Sequence, residues 1–274
     1  MTSSEAEFVT FELRDEVAEL TLNRPKKLNA LSVQLMDELS GALTRAEQDD
    51  RVKVVVLRGG EKAFSVGYDI AEEVELGVST AEQWHAGLGH NIALTMQVWE
   101  LDKPVIGVVS GWCLAGGCEL AMACDLLVAT AEARFGEPEV RFGSGPVTLL
   151  MPFLIGQKAT NELLFTGDVI DADRARELGM VNRVVPADEL DATVDALAAK
   201  VALTPLSILK YTKRSLVSAY THKGLRAAVA SNHDIAAVLN SADTKERAEF
   251  TELVATKGLG AALAWRDTRY GESQ

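Results

Sequence analysis

Residues 103–146, KPVIGVVSGWCLAGGCELAMACDLLVATAEARFGEPEVRFGSGP, decide the fold of this chain. The apolar run 105–109 is short and rich in β-branched residues, which predicts a buried strand rather than a helix. Gly116 and Gly117 stand directly before the alanine-rich run 118–123, which predicts a short helix before the next strand. The sequence therefore predicts a strand, a turn and a helix that begins at two glycines.

The start of this helix suits a negatively charged or polarised oxygen. The first backbone N–H groups of a helix have no intrahelical partners and carry the positive end of its dipole. Glycine lets an oxygen approach that backbone closely. Glu119 lies one turn inside the helix, and Glu137 and Glu139 follow about twenty residues later. We therefore expect an oxygen-binding turn with carboxylates beside it.

Composition sets limits on the class of protein. With 274 residues, 47% of them hydrophobic, the chain is long enough for one large domain with a small appendage. A net charge of −13 argues against a nucleic-acid surface, because phosphate binding requires a basic face. We therefore expect no nucleic-acid partner, and any anionic ligand should be held by a few local cations.

The cysteines and the N-terminal residues predict a location. Cys113, Cys118 and Cys124 match no zinc or redox spacing, so they are interpreted as buried free thiols in a reducing compartment, with no metal site. Residues 1–10 lack the basic and apolar regions of a signal peptide, and nowhere do about eighteen apolar residues follow one another. We expect a cytoplasmic protein that does not enter a membrane.

The order of elements predicts an α/β chain with a helical C-terminal part. Ser32 is a candidate N-cap for an amphipathic helix, and Ser79 or Thr80 starts a longer one. On that helix Trp84 and Met96 share a face that is typical of core, although both side chains could also line an apolar substrate pocket. The predicted strands lie at 8–13, 17–22, 52–57, 105–109, 126–129 and 181–185. Helices are predicted at 147–155, 159–165 and 172–178, and beyond Pro186 at 189–203, 205–219, 225–239 and 244–255.

Five ordered blocks of sequence resemble the enoyl-CoA hydratase/isomerase (crotonase) superfamily. The resemblance implies a crotonase-like spiral of ββα units followed by a C-terminal helical segment that packs on a neighbouring subunit in trimers, often paired into hexamers. We place the domain boundary at Pro186. Residues 1–186 would form the α/β spiral core with the acyl-CoA site, and residues 187–274 the helical oligomerisation segment. The blocks are NRPK at 23–26 with NAL at 29–31, AFSVGYD at 63–69, residues 111–125, FGEPE at 135–139, and residues 166–167 with 175–181.

The resemblance also implies a catalytic site. The backbone N–H groups of Tyr68 and Gly116 would bind the thioester oxygen of an acyl-CoA, where an enolate needs preorganised donors. Glu119 would orient and activate water, and Glu139 would protonate the α-carbon. Glu137, two residues from Glu139, is the alternative for the second role.

Coenzyme A would enter as part of the substrate, and no other cofactor is implied. Lys26, Lys62 and Arg24 fall where the family places basic contacts to its phosphates. The adenine would lie beside the loop 66–70, which includes Val66, Asp69 and Ile70.

The resemblance predicts an enoyl-CoA hydratase. The alternatives are another acyl-CoA reaction of the superfamily, namely double-bond isomerisation, hydroxyacyl-CoA dehydration or thioester hydrolysis, and a non-catalytic CoA-binding or RNA-binding relative. The presence of both Glu119 and Glu139 argues against a pure isomerase. The chain departs from the usual pattern at Tyr68, which is bulkier than the common residue, at Ala71, which replaces a frequent lysine, and at 143–150, which lacks a run of glycines and a downstream arginine.

Overall fold

The structure is a computed structural model that describes residues 8–242 and 244–271. In these residues, ten strands form two sheets. Their lengths range from two residues to six. The strands are β1 (Val9–Arg14), β2 (Val17–Leu22), β3 (Val54–Arg58), β4 (Ala63–Ser65), β5 (Val105–Val109), β6 (Trp112–Leu114), β7 (Leu126–Thr130), β8 (Arg134–Gly136), β9 (Ile170–Asp171) and β10 (Arg183–Val185).

The chain winds as a spiral that places strands alternately in the two sheets. The six-stranded sheet has the order β1-β2-β3-β5-β7-β10, and the four-stranded sheet has the order β4-β6-β8-β9. Each of β3, β5 and β7 in the first sheet is followed by β4, β6 or β8 in the second. Pairing is parallel except in the hairpin β1–β2 and between β8 and β9. This winding confirms the predicted α/β spiral of ββα units.

Helices follow the spiral turns and then make up the rest of the described chain. Short 3₁₀ helices occur at Pro25–Lys27, Pro138–Phe142 and Ala187–Glu189. The α-helices are α1 (Val33–Gln48), α2 (Ile70–Leu76), α3 (Ala81–Glu100), α4 (Gly116–Met122), α5 (Met151–Leu154), α6 (Gln157–Thr166), α7 (Ala172–Glu177), α8 (Leu190–Ala202), α9 (Leu206–His222), α10 (Leu225–Ser241), α11 (Lys245–Lys257) and α12 (Leu259–Arg269).

The central strands are apolar on both faces because helices cover the six-stranded sheet from both sides. Alternate side chains of a strand point to opposite faces, so Val54 and Val56 face one layer of helix and Val55 and Leu57 face another. The first pair packs with Leu190, Val194 and Leu197 of α8, and the second packs in the main core with Leu35, Leu39 and Leu43 of α1.

Two predicted helix starts are confirmed by their caps. The Ser32 hydroxyl accepts a hydrogen bond from the Leu35 backbone N–H, and Thr80 forms a reciprocal capping box with Gln83. The three cysteines are also buried free thiols, as predicted.

Several predicted elements were wrong or missing. The helix predicted at 147–155 shrinks to α5, because the Val147 and Thr148 N–H groups donate to Glu119 instead of entering a helix. The C-terminal helical part extends past the predicted end at 255, since α12 follows α11 after Gly258. Helix α2, with seven residues, and the strands of the four-stranded sheet, with two or three each, were not predicted, because segments this short show no clear period.

The C-terminal helices pack on their own chain. Helix α8 covers the six-stranded sheet, α10 lies along α3, and α11 contacts α2 and the 3₁₀ helix Pro138–Phe142. The domain boundary at Pro186 and the packing of this segment on a neighbouring subunit stay predictions. Over the described ranges, no single helix is long and apolar enough to span a membrane, although Ala187–Ala202 and Leu206–His222, bent by 100°, meet that criterion when taken together.

Candidate active site

A cleft of about 1200 Å³ lies between the spiral core and the last helices. Its walls come from the loop between β4 and α2, the turn between β6 and α4, the 3₁₀ helix Pro138–Phe142, and α12. It is lined by both apolar and charged side chains. This composition suits a ligand with an apolar part and a charged part.

The turn into α4 carries an unusual backbone. Ala115 has φ 54° and ψ −134°, a conformation that costs free energy for a residue with a side chain. Its own N–H donates to the Gly136 carbonyl at 2.8 Å, and its carbonyl accepts from Cys118 and Glu119, which fixes the turn from both sides. The Gly116 N–H is thereby left at the first position of the helix, as predicted.

The loop before α2 meets this turn closely. Gly67 has φ 91°, and a Cβ built on it would lie 2.5 Å from the Ala115 Cβ and 3.2 Å from the Gly116 nitrogen. Only glycine allows this approach. Within residues 8–242 and 244–271, neither the Tyr68 nor the Gly116 backbone N–H donates to a protein acceptor. Two unpaired donors therefore lie on loops that meet closely, one at Tyr68 in the cleft wall and one at Gly116, next to Ala115 in that wall. Unpaired N–H groups of this kind can bind a ligand oxygen.

Glu119 is fully buried on α4 and firmly held. Its Oε1 accepts hydrogen bonds from the Val147 N–H at 2.6 Å and the Thr148 N–H at 2.8 Å. Its Oε2 lies 3.4 Å from the Tyr68 hydroxyl, which donates to it. Burial raises the pKa of Glu119 to about 7, although these donors favour the ionised form. A carboxyl with this pKa exchanges a proton readily near neutral pH.

Glu139 lies on the 3₁₀ helix Pro138–Phe142 and lines the cleft. Its side chain is 6% exposed, and neither carboxylate oxygen has a hydrogen-bond partner in the described part of the chain. Burial, with a further contribution from the charge on Glu119, raises the pKa of Glu139 well above its ordinary range. An unpaired buried carboxyl of this kind holds its proton and can donate it.

Glu137, the alternative to Glu139, does not line the cleft. It is 3% exposed, and its Oε2 has no partner among the described residues. Burial raises the pKa of Glu137 strongly, and the charges on Glu119 and Glu139 raise it further. Of the three carboxyls, only Glu139 lines the cleft. Glu119 lies directly behind Tyr68 and Val147, which line the cleft and donate hydrogen bonds to it, whereas among the described residues Glu137 has no such link to the wall.

The residues predicted to contact CoA divide into two groups. Lys26, Val66, Asp69 and Ile70 line the cleft, whereas Arg24 and Lys62 are not part of its wall. The Arg24 guanidinium instead pairs with Asp69 at 2.6 Å. Asp69 also accepts from the Ala71 and Glu72 N–H groups and so caps α2. Within the wall, Asp69 is therefore occupied by structural contacts.

Sequence reasoning missed several residues of the wall. The Val147 and Thr148 amides that hold Glu119 lie where the sequence predicted the start of a helix. No periodic pattern indicates that a loop will point its N–H groups at a carboxylate. Trp84 and Met96 are interpreted from the sequence either as core residues or as the lining of a substrate pocket. Trp84 lines the cleft, whereas Met96 packs in the main core. The charged or aromatic wall residues that were not predicted are Lys27, Glu73, Trp112, Arg134, Arg141, Phe142, Glu162, Asp168, Arg174, Arg266 and Asp267.

No group of three or more histidine, cysteine, aspartate or glutamate side chains is placed to hold a metal ion in the regions that the structure describes.

Comparison with known proteins identifies relatives over most of the chain. The family described as enoyl-CoA hydratase/isomerase matches residues 12–255. The short-chain-enoyl-CoA hydratase of Clostridium acetobutylicum is 37% identical over 212 residues, which cover 76% of this chain and 80% of that protein. The crotonyl-CoA hydratase of Syntrophomonas wolfei is 39% identical over 199 residues, which cover 71% of this chain and 75% of that protein.

A solved structure extends the likeness to the fold. The crystal structure of an enoyl-CoA hydratase/isomerase from Xanthobacter autotrophicus Py2 superposes with a TM-score of 0.93 at 39% identity. The superposition covers 96% of this chain and 98% of that one, so the C-terminal helices are included.

Proposed function

The chain belongs to the enoyl-CoA hydratase/isomerase family, and we propose that it is an enoyl-CoA hydratase, which adds water reversibly across the double bond of a 2-enoyl-CoA thioester. One observation carries the proposal. The buried carboxyl of Glu139 lines one cleft together with Tyr68 and Ala115, and Glu119 and the unpaired Gly116 N–H lie directly behind this wall, in contact with Tyr68.

The thioester oxygen binds between the Tyr68 and Gly116 N–H groups. As water adds to the β-carbon, negative charge moves onto this oxygen and gives an enolate. Two fixed donors stabilise that charge, and one such donor is worth about 3 kcal/mol in other enzymes. The strained turn at Ala115 is what holds the Gly116 donor in place.

Glu119 acts as the base and Glu139 as the acid. The Glu119 carboxylate takes one proton from water as the water oxygen bonds to the β-carbon, and the Glu139 carboxyl gives its proton to the α-carbon. The substrate gains one hydrogen and one hydroxyl group. Glu119 then returns its proton to solvent and Glu139 regains one, which restores the starting state.

The CoA portion lies along the loop 66–70. Lys26 and the adjacent Lys27 are exposed cations of the cleft wall and are proposed to contact the phosphates, with Arg24 and Lys62 as the outer candidates. Val66, Asp69 and Ile70 would flank the adenine. The proposed reaction requires no metal and no redox cofactor.

We further propose that the enzyme is a cytoplasmic homotrimer or a hexamer of paired trimers. Large apolar side chains on α9 and α10 support an association surface, since Ile208, Tyr211, Ile235 and Val238 are each more than half exposed. Sedimentation of the full chain measures the mass, and a monomer at micromolar concentration would contradict this part of the proposal.

The function is tested with crotonyl-CoA and the purified full chain. We expect the absorbance of the enoyl thioester to fall and the product to gain the mass of one water molecule. Release of free CoA would indicate thioester hydrolysis, and a shifted double bond would indicate an isomerase. Unchanged crotonyl-CoA, together with salt-sensitive RNA binding in a gel-shift assay, would favour a non-catalytic relative.

A further inference from the structure

The side chain of Tyr68 lies across the site and is used by no step above. Its backbone N–H is one of the two proposed oxygen donors, and its ring reaches over the other. A Cβ built on Gly116 would lie 2.5 Å from both Cε2 and Cζ of Tyr68. The ring therefore packs directly on the backbone at Gly116, beside the position proposed for the thioester oxygen.

The Tyr68 hydroxyl contacts Glu119, the proposed catalytic base. Its oxygen lies 3.4 Å from Glu119 Oε2, while Glu119 Oε1 is already occupied by two backbone N–H groups. Burial, followed by the charges of Glu119 and Glu139, raises the pKa of Tyr68 well above its ordinary range, so the phenol keeps its proton and stays a donor.

The Tyr68 ring also closes the apolar end of the cleft. It packs against a cluster containing Trp84, Leu88, Val147, Ala236 and Ala237, all less than a tenth exposed. Tyr68, Trp84, Leu88 and Val147 each line the cleft. An acyl chain whose α- and β-carbons lie between the oxygen donors and the two glutamates would run into this cluster, and the phenol ring fills the space there.

We propose that Tyr68 sets both the geometry of the base and the length of the acyl group: its hydroxyl orients the second oxygen of Glu119, and its ring restricts the enzyme to short 2-enoyl chains. Tyr68 is thus a positioning and specificity residue. This inference rests on the proposed hydratase function. Substitution of the side chain leaves the Tyr68 backbone N–H in place.

Two substitutions separate the hydroxyl from the ring. Tyr68→Phe removes only the hydroxyl, and Tyr68→Ala removes both. Tyr220→Phe is the matched control, because the Tyr220 ring on α9 packs on Trp99 and does not line the cleft. Values of kcat and KM are measured for crotonyl-CoA and for trans-2-decenoyl-CoA, together with the pH profile of kcat. Circular dichroism checks folding, and Tyr68→Leu replaces the alanine variant if that one is unfolded.

For Tyr68→Phe we expect kcat on crotonyl-CoA to fall about tenfold with little change in KM, since the lost hydrogen bond was made to a charged group. The acidic limb of the pH profile should move to higher pH, because the hydroxyl favours ionised Glu119. For Tyr68→Ala, the ratio of kcat/KM for decenoyl-CoA to that for crotonyl-CoA should rise at least about tenfold, as expected when a pocket admits more methylenes.

The outcomes are separable. Wild-type protein that fails to hydrate crotonyl-CoA refutes the proposed function, and this inference falls with it. Wild-type activity with an unchanged kcat and pH profile in Tyr68→Phe overturns the positioning role alone. Wild-type activity with an unchanged chain-length ratio in Tyr68→Ala overturns the specificity role alone. The Tyr220→Phe control should match the wild type throughout.

Discussion

Glu119 and Glu139 are the same residue type at similar depth, 0% and 6% exposed, yet the chain holds them in opposite ways. Glu119 stands on an α-helix and receives two backbone donors and one phenol. Glu139 stands on a 3₁₀ helix, and within the described residues its carboxyl has no partner. Donors favour the ionised form of a carboxyl, and burial without donors favours the protonated form.

This difference supports the two proposed roles. Burial raises the pKa of both carboxyls, and at Glu119 the hydrogen bonds from the Thr148 and Val147 N–H groups oppose that shift, so the pKa of Glu119 is about 7. Glu139 keeps a pKa well above its ordinary range. Two acids whose environments separate their pKa values in this way form a base and an acid at the same pH.

Removal of either carboxyl should have the largest effect. Glu119→Gln and Glu139→Gln should each lower kcat for crotonyl-CoA hydration at least about a hundredfold, the usual scale for a general acid or base. CoA binding should be nearly unchanged, since neither side chain is assigned to the CoA portion. Steady-state kinetics and a CoA titration measure both quantities.

The control for these variants is Glu189→Gln, an exposed glutamate before α8. Its kcat should equal that of the wild type. Full activity in either site variant would show that the corresponding carboxyl takes no part in proton transfer.

The pH dependence should show the two carboxyls as separate limbs. Below about pH 7, kcat/KM should fall about tenfold per pH unit, because Glu119 must be ionised to accept the proton of water. At high pH it should fall again as Glu139 loses the proton that it must donate. A rate that increases steadily as the pH is lowered through 7 would reverse the assignment of base and acid.

A smaller loss of kcat is expected when the loop that donates hydrogen bonds to Glu119 loses its own contact with Asn232. The Asn232 side-chain amide donates to the Pro146 carbonyl at 2.9 Å and to the Val147 carbonyl at 3.0 Å, which fixes the loop that binds Glu119. Asn232→Ala should lower kcat about tenfold, as expected for lost hydrogen bonds that position a charged group. It should leave proton transfer by Glu139 unaffected.

Asn161→Ala on α6 provides the matched control for Asn232→Ala and should leave kcat unchanged. If Asn232→Ala also keeps the full kcat, the loop holds Glu119 without help from α10.

Substitution of Glu137, a buried carboxyl that does not line the cleft, should change the free energy of unfolding and not the catalytic rate. Burial raises the pKa of Glu137 above its ordinary value of 4.5, so the folded protein loses stability as pH rises from about 4.5 upward, because ionisation then favours the unfolded chain. Glu137→Gln should therefore be more stable than the wild type near pH 8, by about 1.4 kcal/mol for each unit by which the pKa is raised. Near pH 4 the two proteins should be nearly equal.

Urea unfolding at the two pH values measures this difference. An equal change in unfolding free energy at both pH values would show that Glu137 is not held neutral by burial.

The contrast between the two glutamates also marks the limit of what the sequence predicts. The helix that carries Glu119 was predicted because Gly116 and Gly117 precede an apolar run, and the strand β5 was predicted from its short, β-branched composition. The position of Glu139 on a 3₁₀ helix was not predicted, because five residues that include a proline show no periodicity.

The partners of Glu119 were missed for a related reason. The Val147 and Thr148 amides and the Tyr68 hydroxyl come from segments 28, 29 and 51 residues away in sequence. Such contacts depend on how loops meet in three dimensions. The resemblance of short motifs could name Glu119 and Glu139, but only the fold shows that one is held by donors and the other is not.

The assignment of Glu139 as the acid and Glu119 as the base is tested most directly by exchange of the α-hydrogens of a saturated acyl-CoA in D₂O. Butyryl-CoA has no double bond to hydrate, so loss of its α-hydrogen signal by NMR reports only proton transfer between the α-carbon and its acid–base group. We predict exchange in the wild type and in Glu119→Gln, and no exchange in Glu139→Gln. Exchange that persists in Glu139→Gln, or that is lost only in Glu119→Gln, would contradict the assignment of Glu139 as the acid and Glu119 as the base.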